Sequence, residues 1–246
     1  MVTVDTVVVT GATAGVGLAC ARQLIEQGSQ VIGIGRRKAR LAQLQQELGP
    51  RFLPIACDLR HLDEARALLL DLPAPFRAVT TLVNNAGLLQ GQGPLLEVRP
   101  VQIATMLDTN IAALVNVTQA LLPALIASGR GHIVNLSSIA ASHHYAGGHV
   151  YAASKAFVEH FGRCLRAELA GTKVRLTNVA PGKTRSEFAL VQHEGDHARA
   201  EQVYSTLTPL EPDDVARSVL WALAQPPHVN ISHIELVPAD QSLFYR

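Results

Sequence analysis

Tyr151 and Lys155 stand four residues apart at the head of an apolar run that reads as a helix, Tyr151-Ala152-Ala153-Ser154-Lys155-Ala156-Phe157. That spacing puts phenol and ammonium on one helical face. A phenol with a pKa of about 10 exchanges protons poorly at neutral pH. A fixed cation beside it favours the phenolate and lowers that pKa, which would make Tyr151 a general acid or base. The spacing alone recurs by chance, so its meaning depends on what accompanies it.

What accompanies it begins at the N-terminal end. Thr6-Val7-Val8-Val9-Thr10 reads as a buried strand, short, β-branched and bounded by glycine. It runs into Gly11-Ala12-Thr13-Ala14-Gly15-Val16-Gly17 and an amphipathic stretch that ends at Gly28. Strand, glycine turn and helix in that order offer backbone N–H groups and a helix N-terminus to a pyrophosphate. The second strand closes on Ile34-Gly35-Arg36-Arg37-Lys38, three cations and no acid. A binder of NAD places an acid there to accept from the ribose 2′-hydroxyl. A 2′-phosphate needs positive charge instead, and an arginine fork suits it. Mere solvation is the awkward account, because the helix macrodipole disfavours cations at a helix start. The expected cofactor is NADP(H), with Arg36 on the phosphate and Arg37 assisting.

With Asn84-Asn85-Ala86-Gly87, Asn110, Ser138 and Pro181-Gly182 added, the chain resembles the short-chain dehydrogenase/reductase family. The landmarks keep the family's order and spacings from residue 6 to about 240. Ser138 falls where the family's serine stands relative to Tyr151. Tyr145-Ala146-Gly147-Gly148 and Pro227-His228-Val229-Asn230-Ile231 resemble the NADP-dependent 3-hydroxy acid (serine-type) dehydrogenases within it.

The resemblance implies roles. Ser138 would bind the substrate oxygen, Tyr151 would exchange the proton, and Lys155 would lower the Tyr151 pKa and hold the nicotinamide ribose. Asn110 would loosen its helix and support a water relay. The turn residues Gly11, Thr13, Ala14, Gly15, Val16 and Gly17 would cradle the phosphates. Asp58 would meet the adenine amino group with Leu59 beside the ring, although a helix-capping Asp58 reads equally well. Asn85, Ala86 and Gly87 would border the adenosine ribose, and Pro181, Gly182 and Thr184 the nicotinamide. Ser137 would be structural.

For the substrate, the expected pocket is bounded by Ser138, His143, His144, His149 and Tyr151. Lys183 and Arg185 follow Pro181-Gly182, where a cation would hold a carboxylate or sulfonate. Arg185 is the better candidate, because its fork matches a planar carboxylate. The histidines lack a carboxylate or cysteine at ligand spacing, as do His193 and His197, so no metal is expected. A small polar molecule follows, a 3-hydroxy acid or a semialdehyde. Pro181-Gly182-Lys183-Thr184-Arg185-Ser186-Glu187-Phe188 is one residue shorter than the Pro-Gly-x-x-Gly-Gly-Thr-Glu-Phe run of that group and lacks its glycine pair. A pocket re-purposed for a specialised biosynthetic aldehyde or ketone is therefore the alternative. A non-catalytic nucleotide sensor on the same fold is a further one, and retention of Asn110, Ser138, Tyr151 and Lys155 argues against it.

These residues need a scaffold, and the chain alternates strand-like and helix-like segments. Strands are expected at Val7–Thr10, Gln30–Ile34, Phe52–Cys57, Thr81–Asn84, Gly131–Ser137, Lys173–Ala180 and Ile234–Pro238. Helices are expected at Val16–Gln27, Lys38–Leu48, Leu62–Leu70, Val101–Ala127, Tyr151–Ala170 and Asp213–Ala224. Such alternation predicts an α/β Rossmann-type parallel sheet, doubly wound with helices on both faces. The whole of residues 1–246 reads as one domain, with a short helical lid over about 183–207. A net charge of +1 excludes a nucleic-acid or membrane electrostatic footprint. No uninterrupted apolar run approaches the roughly 18 residues of a spanning helix, and no charged leader precedes the first strand. Three scattered cysteines are expected as buried thiols in a reducing, cytoplasmic setting. The apolar surface of the two long helices predicts a homotetramer, or at least a dimer.

Overall fold

A computed structural model describes residues 5–91 and 93–242. Seven parallel strands form one sheet in the order β3-β2-β1-β4-β5-β6-β7. They are β1 Thr6–Thr10, β2 Gln30–Gly35, β3 Phe52–Ala56, β4 Val79–Asn84, β5 His132–Leu136, β6 Arg175–Pro181 and β7 His233–Leu236. Val7, Val8 and Val9 are buried on both faces of β1, which is why that strand is a continuous β-branched run rather than an alternating one. After β3 the chain crosses back to lay β4 beside β1. The strand order reverses there, and the crevice at the carboxyl ends of β1 and β4 is where ligands bind in open α/β sheets.

The helices are α1 Gly15–Glu26, α2 Lys38–Leu48, α3 Leu62–Leu70, α4 Pro100–Leu107, α5 Ala113–Ala127, α6 His149–Glu168, α7 Phe188–Gln192, α8 His197–Gln202 and α9 Pro212–Leu223. One face of the sheet packs Leu24, Leu44 and Val219 of α1, α2 and α9 against Val9, Val83 and Val134. The other packs Leu69, Val117, Leu121 and Leu165 of α3, α5 and α6 against Val8, Leu82 and Ile133. The expected ranges of α2 and α3 match the structure residue for residue; other ends differ by one or two residues, the usual scatter of fraying termini.

Three expectations are corrected. The helix expected over Val101–Ala127 is α4 and α5 joined by a π-turn at Asp108–Ala112. Its stretch Pro100–Ala127 is, by length and composition alone, apolar enough to cross a membrane. The expectation that no such stretch exists rested on uninterrupted runs, whereas the interruptions here are mostly uncharged Thr and Asn. The inner side of α5, Val117, Leu121 and Leu125, belongs to the core under the sheet. Cys20 and Cys57 are buried, but Cys164 is exposed. It falls off the buried stripe of α6, which runs through Tyr151, Lys155, Val158, Gly162 and Leu165.

Between β6 and α9 the chain makes an excursion carrying α7 and α8. Thr184 bridges to Leu210, closing its base. Ala189, Ala200 and Tyr204 give α7 and α8 a small core of their own.

Candidate active site

The first turn opens the cleft. Gly11 and Gly15 take φ of +69° and +52°, a region costly for side-chain-bearing residues. Asn85 Nδ2 donates to Thr10 O at 2.8 Å, and Thr10 Oγ1 accepts from the N–H groups of Asn85 and Ala86 at 3.0 Å each. These bonds lace the ends of β1 and β4 together at the reversal point. The residue before α1 is Ala14, which supplies no side-chain cap, and the first turn holds no acid. The leading N–H groups of α1 are thus left for an anion. Gly17 does not line the cleft, contrary to expectation. A Cβ there would lie 2.4 Å from Asn85 Nδ2 and 2.5 Å from Gly11 O, so this glycine serves the packing beneath the turn.

Around that turn lies a cleft of about 780 Å³. Gly11, Thr13, Ala14, Gly15 and Val16 form one wall, with Arg36, Arg37, Asp58 and Leu59 at its far end. Asn85, Ala86 and Gly87 form the floor; Ser138, Tyr151, Lys155, Pro181, Gly182 and Thr184 close the near end. Of the two arginines, Arg36 is exposed on the wall. Arg37 is engaged: its Nε and Nη2 donate to Thr13 Oγ1 at 3.2 and 2.9 Å, and its Nη1 pairs with Glu187 at 2.7 Å. Asp58 pairs with Arg60 at 2.6 Å, and hydrogen bonding from that guanidinium, aided by Arg36, pushes its pKa down to about 2. The residue capping α3 is His61, so the capping account of Asp58 is not realised.

Tyr151 is buried, and its hydroxyl faces the Ser138 side chain, which favours the phenolate. Ser138 Oγ accepts from Ala140 N at 3.1 Å, which fixes its rotamer. Lys155 Nζ lies 5.8 Å from the centre of the Tyr151 ring and donates to Leu136 O at 2.8 Å. Asn110, in the π-turn, donates to Leu88 O and Ser154 Oγ at 2.9 and 3.0 Å and accepts from Leu88 N at 2.9 Å. The helical irregularity is the local price of turning this amide inward. A Cβ on Gly87 would lie 3.1 Å from Lys155 Nζ and 3.4 Å from Asn110 Oδ1, so the floor, the Asn110 amide and the ammonium meet there. Ser137 Oγ donates to Lys155 O and Glu159 Oε1 at 3.2 and 3.1 Å, bracing α6 on β5.

Electrostatics correct one expectation. Burial pushes the Tyr151 phenol up, and the Ser138 side chain offsets this only in part. Burial also pushes Lys155 down to about 8. The ammonium was expected to depress the phenol, but here it bonds a carbonyl, and desolvation of the phenolate wins.

The substrate side departs further from expectation. His143 faces Glu235 at 3.6 Å, and His149 Nε2 meets Gly93 O at 3.1 Å. His144 is exposed, and none of the three lines the cleft. His149 lies two helical positions before Tyr151, and such pairs do not share a face. Arg185 also points away: it pairs with Glu201 at 3.1 Å and Glu211 at 3.6 Å and lies 5.0 Å over the Tyr204 ring. Two outer carboxylates and an aromatic face hold it there. Tyr145 and Phe188 take the places expected of the histidines; Phe188 meets Tyr151 edge-on at 5.6 Å. Gln241, after β7, also lines the cleft. No periodicity or motif in the sequence signals it.

Residues 5–196 match the family model described as short chain dehydrogenase. The chain is 48% identical to a protein of Haemophilus influenzae described as a probable NADP-dependent dehydrogenase, covering 96% of this chain and 94% of that one. It is 44% identical to a serine 3-dehydrogenase of Agrobacterium fabrum, over 96% and 95% of the two chains. It is 45% identical to sulfoacetaldehyde reductase 2 of Chromohalobacter salexigens, over 97% and 96%. Among solved structures, the closed form of serine dehydrogenase complexed with NADP+ superposes with a TM-score of 0.94 at 43% identity, covering 96% of each chain.

Proposed function

This chain belongs to the short-chain dehydrogenase family, and on that premise we propose that it is an NADP(H)-dependent oxidoreductase of a small 3-hydroxy acid or the corresponding semialdehyde. The observation that carries the reading is the meeting, in one cleft, of Ser138, Tyr151 and Lys155 with an uncapped glycine turn and Arg36. The cleft suits a dinucleotide: a Cβ at Gly15 would lie 3.2 Å from Ser186 Cβ and crowd the gap between turn and lid.

The leading N–H groups of α1 would hold the diphosphate, Arg36 the 2′-phosphate, and Lys155 the nicotinamide ribose. When bound, the nicotinamide supplies the hydride exchange. Ser138 orients the substrate oxygen by hydrogen bonding. In the reducing direction Tyr151 gives its proton to that oxygen; in the oxidising direction it takes one. Its burial keeps the phenol protonated at neutral pH, the form the reducing direction requires. Lys155 compensates the phenolate left behind, and Asn110 beside it borders the path of re-protonation.

A second reading, reduction of a small anionic aldehyde, is favoured by the sulfoacetaldehyde reductase relative and by a lid without the glycine pair. The same proposal includes a cytoplasmic homotetramer or dimer, supported by Phe157 and Ile126 left exposed on α6 and α5.

The deciding assay follows NADPH and NADH absorbance across a panel of small hydroxy acids and aldehydes. NADP(H) should be preferred at least tenfold, since one charge-assisted contact contributes about 1.5–3 kcal/mol. Arg36→Ala should erase most of that preference. Equal turnover with NADH in the wild type would overturn the reading.

A further inference from the structure

Two polar groups in the cleft have no part in the proton chemistry. Lys183 follows Pro181-Gly182 and lines the cleft half-buried. Its Nζ donates to Val203 O at 3.2 Å and has no carboxylate partner among the described residues. An ammonium carries three donors, so this one has capacity left. Gln241 comes from the segment after β7. Its Oε1 accepts from Lys183 N at 2.9 Å, whereas its Nε2 is buried with no partner among the described residues. Leaving such a donor unpaired costs about 1–3 kcal/mol, which a bond to a ligand oxygen would recover. Gly182 makes the approach possible, because a Cβ there would lie 2.5 Å from Gln241 Oε1.

The remaining charges of the cleft sharpen the point. Arg37 is engaged by Glu187 and Arg60 by Asp58. Outside the cleft, Arg185 is engaged by Glu201 and Glu211. Lys155 belongs to the proton machinery. Among the described residues, two cations without a salt bridge to a carboxylate therefore remain on the walls: Arg36 beside the turn after β2, and Lys183 beside the turn after β6.

We propose that Lys183 Nζ and Gln241 Nε2 together receive the acid group of the substrate, a carboxylate or sulfonate, while Ser138 and Tyr151 hold its reacting oxygen. The assignment rests on the hydroxy-acid reading above and replaces Arg185 as the anion anchor. The ammonium makes the site prefer an anion over a neutral isostere. The amide adds direction without charge, and its bond to the Lys183 backbone keeps the two donors in register.

The test compares kcat/KM for 3-hydroxypropanoate and its methyl ester with NADP+, in wild type, Lys183→Met, Lys183→Arg and Gln241→Leu. Malonate is titrated onto the NADP+ complex by thermal shift, and NADPH affinity is read by nucleotide fluorescence. The acid-to-ester ratio should fall about 30-fold in Lys183→Met and about tenfold in Gln241→Leu, as expected for contacts to a carboxylate from a charged and from an uncharged donor. Lys183→Arg should retain most of it. Malonate binding should weaken in parallel while NADPH affinity changes by less than about threefold, because a lost contact to one ligand leaves the other's contacts in place. An unchanged ratio with unchanged malonate binding overturns the proposal. So does loss of NADPH affinity as large as that of malonate, which would give Lys183 to the coenzyme phosphates. If the wild type turns over neither compound, the hydroxy-acid reading fails. Lys183-dependent malonate binding would still uphold the subsite, and its absence would remove it.

Discussion

Replacing Lys155 with methionine should favour the fold more at neutral pH than at high pH, while abolishing turnover. Its Nζ is buried, faces no carboxylate among the described residues, and has a hydrogen bond to Leu136 O. Burial takes its pKa from the ordinary 10.5 to about 8. That gap, at about 1.4 kcal/mol per pH unit, makes the charged lysine roughly 3 kcal/mol less favourable in the folded chain than in the unfolded one. Methionine has similar length and no charge to desolvate. The sign of the pH dependence follows from linkage. Between about pH 8 and 10.5 the unfolded chain holds more protons at this residue than the folded chain, so its contribution to stability rises with pH. Below that window both states are charged and the full penalty applies; above it both are neutral and the penalty is gone. The stability of the variant relative to wild type should therefore fall by roughly 3 kcal/mol from pH 7 to pH 11, with the loss of the donor to Leu136 O costing about 1–3 kcal/mol at every pH. Urea unfolding of both proteins at pH 7, 9 and 11, without nucleotide, measures it. The paired difference cancels other groups that titrate there, such as Cys20, whose thiol burial pushes up to about 12. A stability difference that does not change with pH, or one that grows in the variant's favour as pH rises, would refute the reasoning.

Tyr151→Phe should lower kcat by at least about 10²-fold, the usual worth of a positioned proton donor, and leave NADPH binding nearly intact. Activity within a few-fold of wild type would remove Tyr151 from the proton path. Asn110→Leu strands the buried N–H and C=O of Leu88 and should cost about 3 kcal/mol, lowering Tm on the order of 6–12 °C. Calorimetry showing no change in Tm would mean that the π-turn does not depend on this amide.

Much of this protein was determined by local pattern. A β-branched run such as Val7-Val8-Val9 must be buried on both faces, and glycine must follow where the chain turns back with positive φ at Gly11 and Gly15. Helical spacing alone put Tyr151 and Lys155 on the buried stripe of α6. Arg36 and Arg37 had to fall at the sheet's carboxyl edge once β2 was a parallel strand.

Tertiary structure decided whatever depends on partners distant in the chain. Glu201 and Glu211 turn Arg185 outward, and Gln241 reaches Lys183 across 58 positions of sequence. The phenol of Tyr151 is pushed up although Lys155 stands on the same stripe, because its burial outweighs proximity to an ammonium that bonds Leu136 O. Gly17 belongs to the glycine motif, yet Asn85, from the far side of the reversal point, makes it a packing residue. Periodicity carries the direction of a side chain in a helix or strand. In the irregular segments that line the substrate side, no period exists, and long-range contacts set each direction.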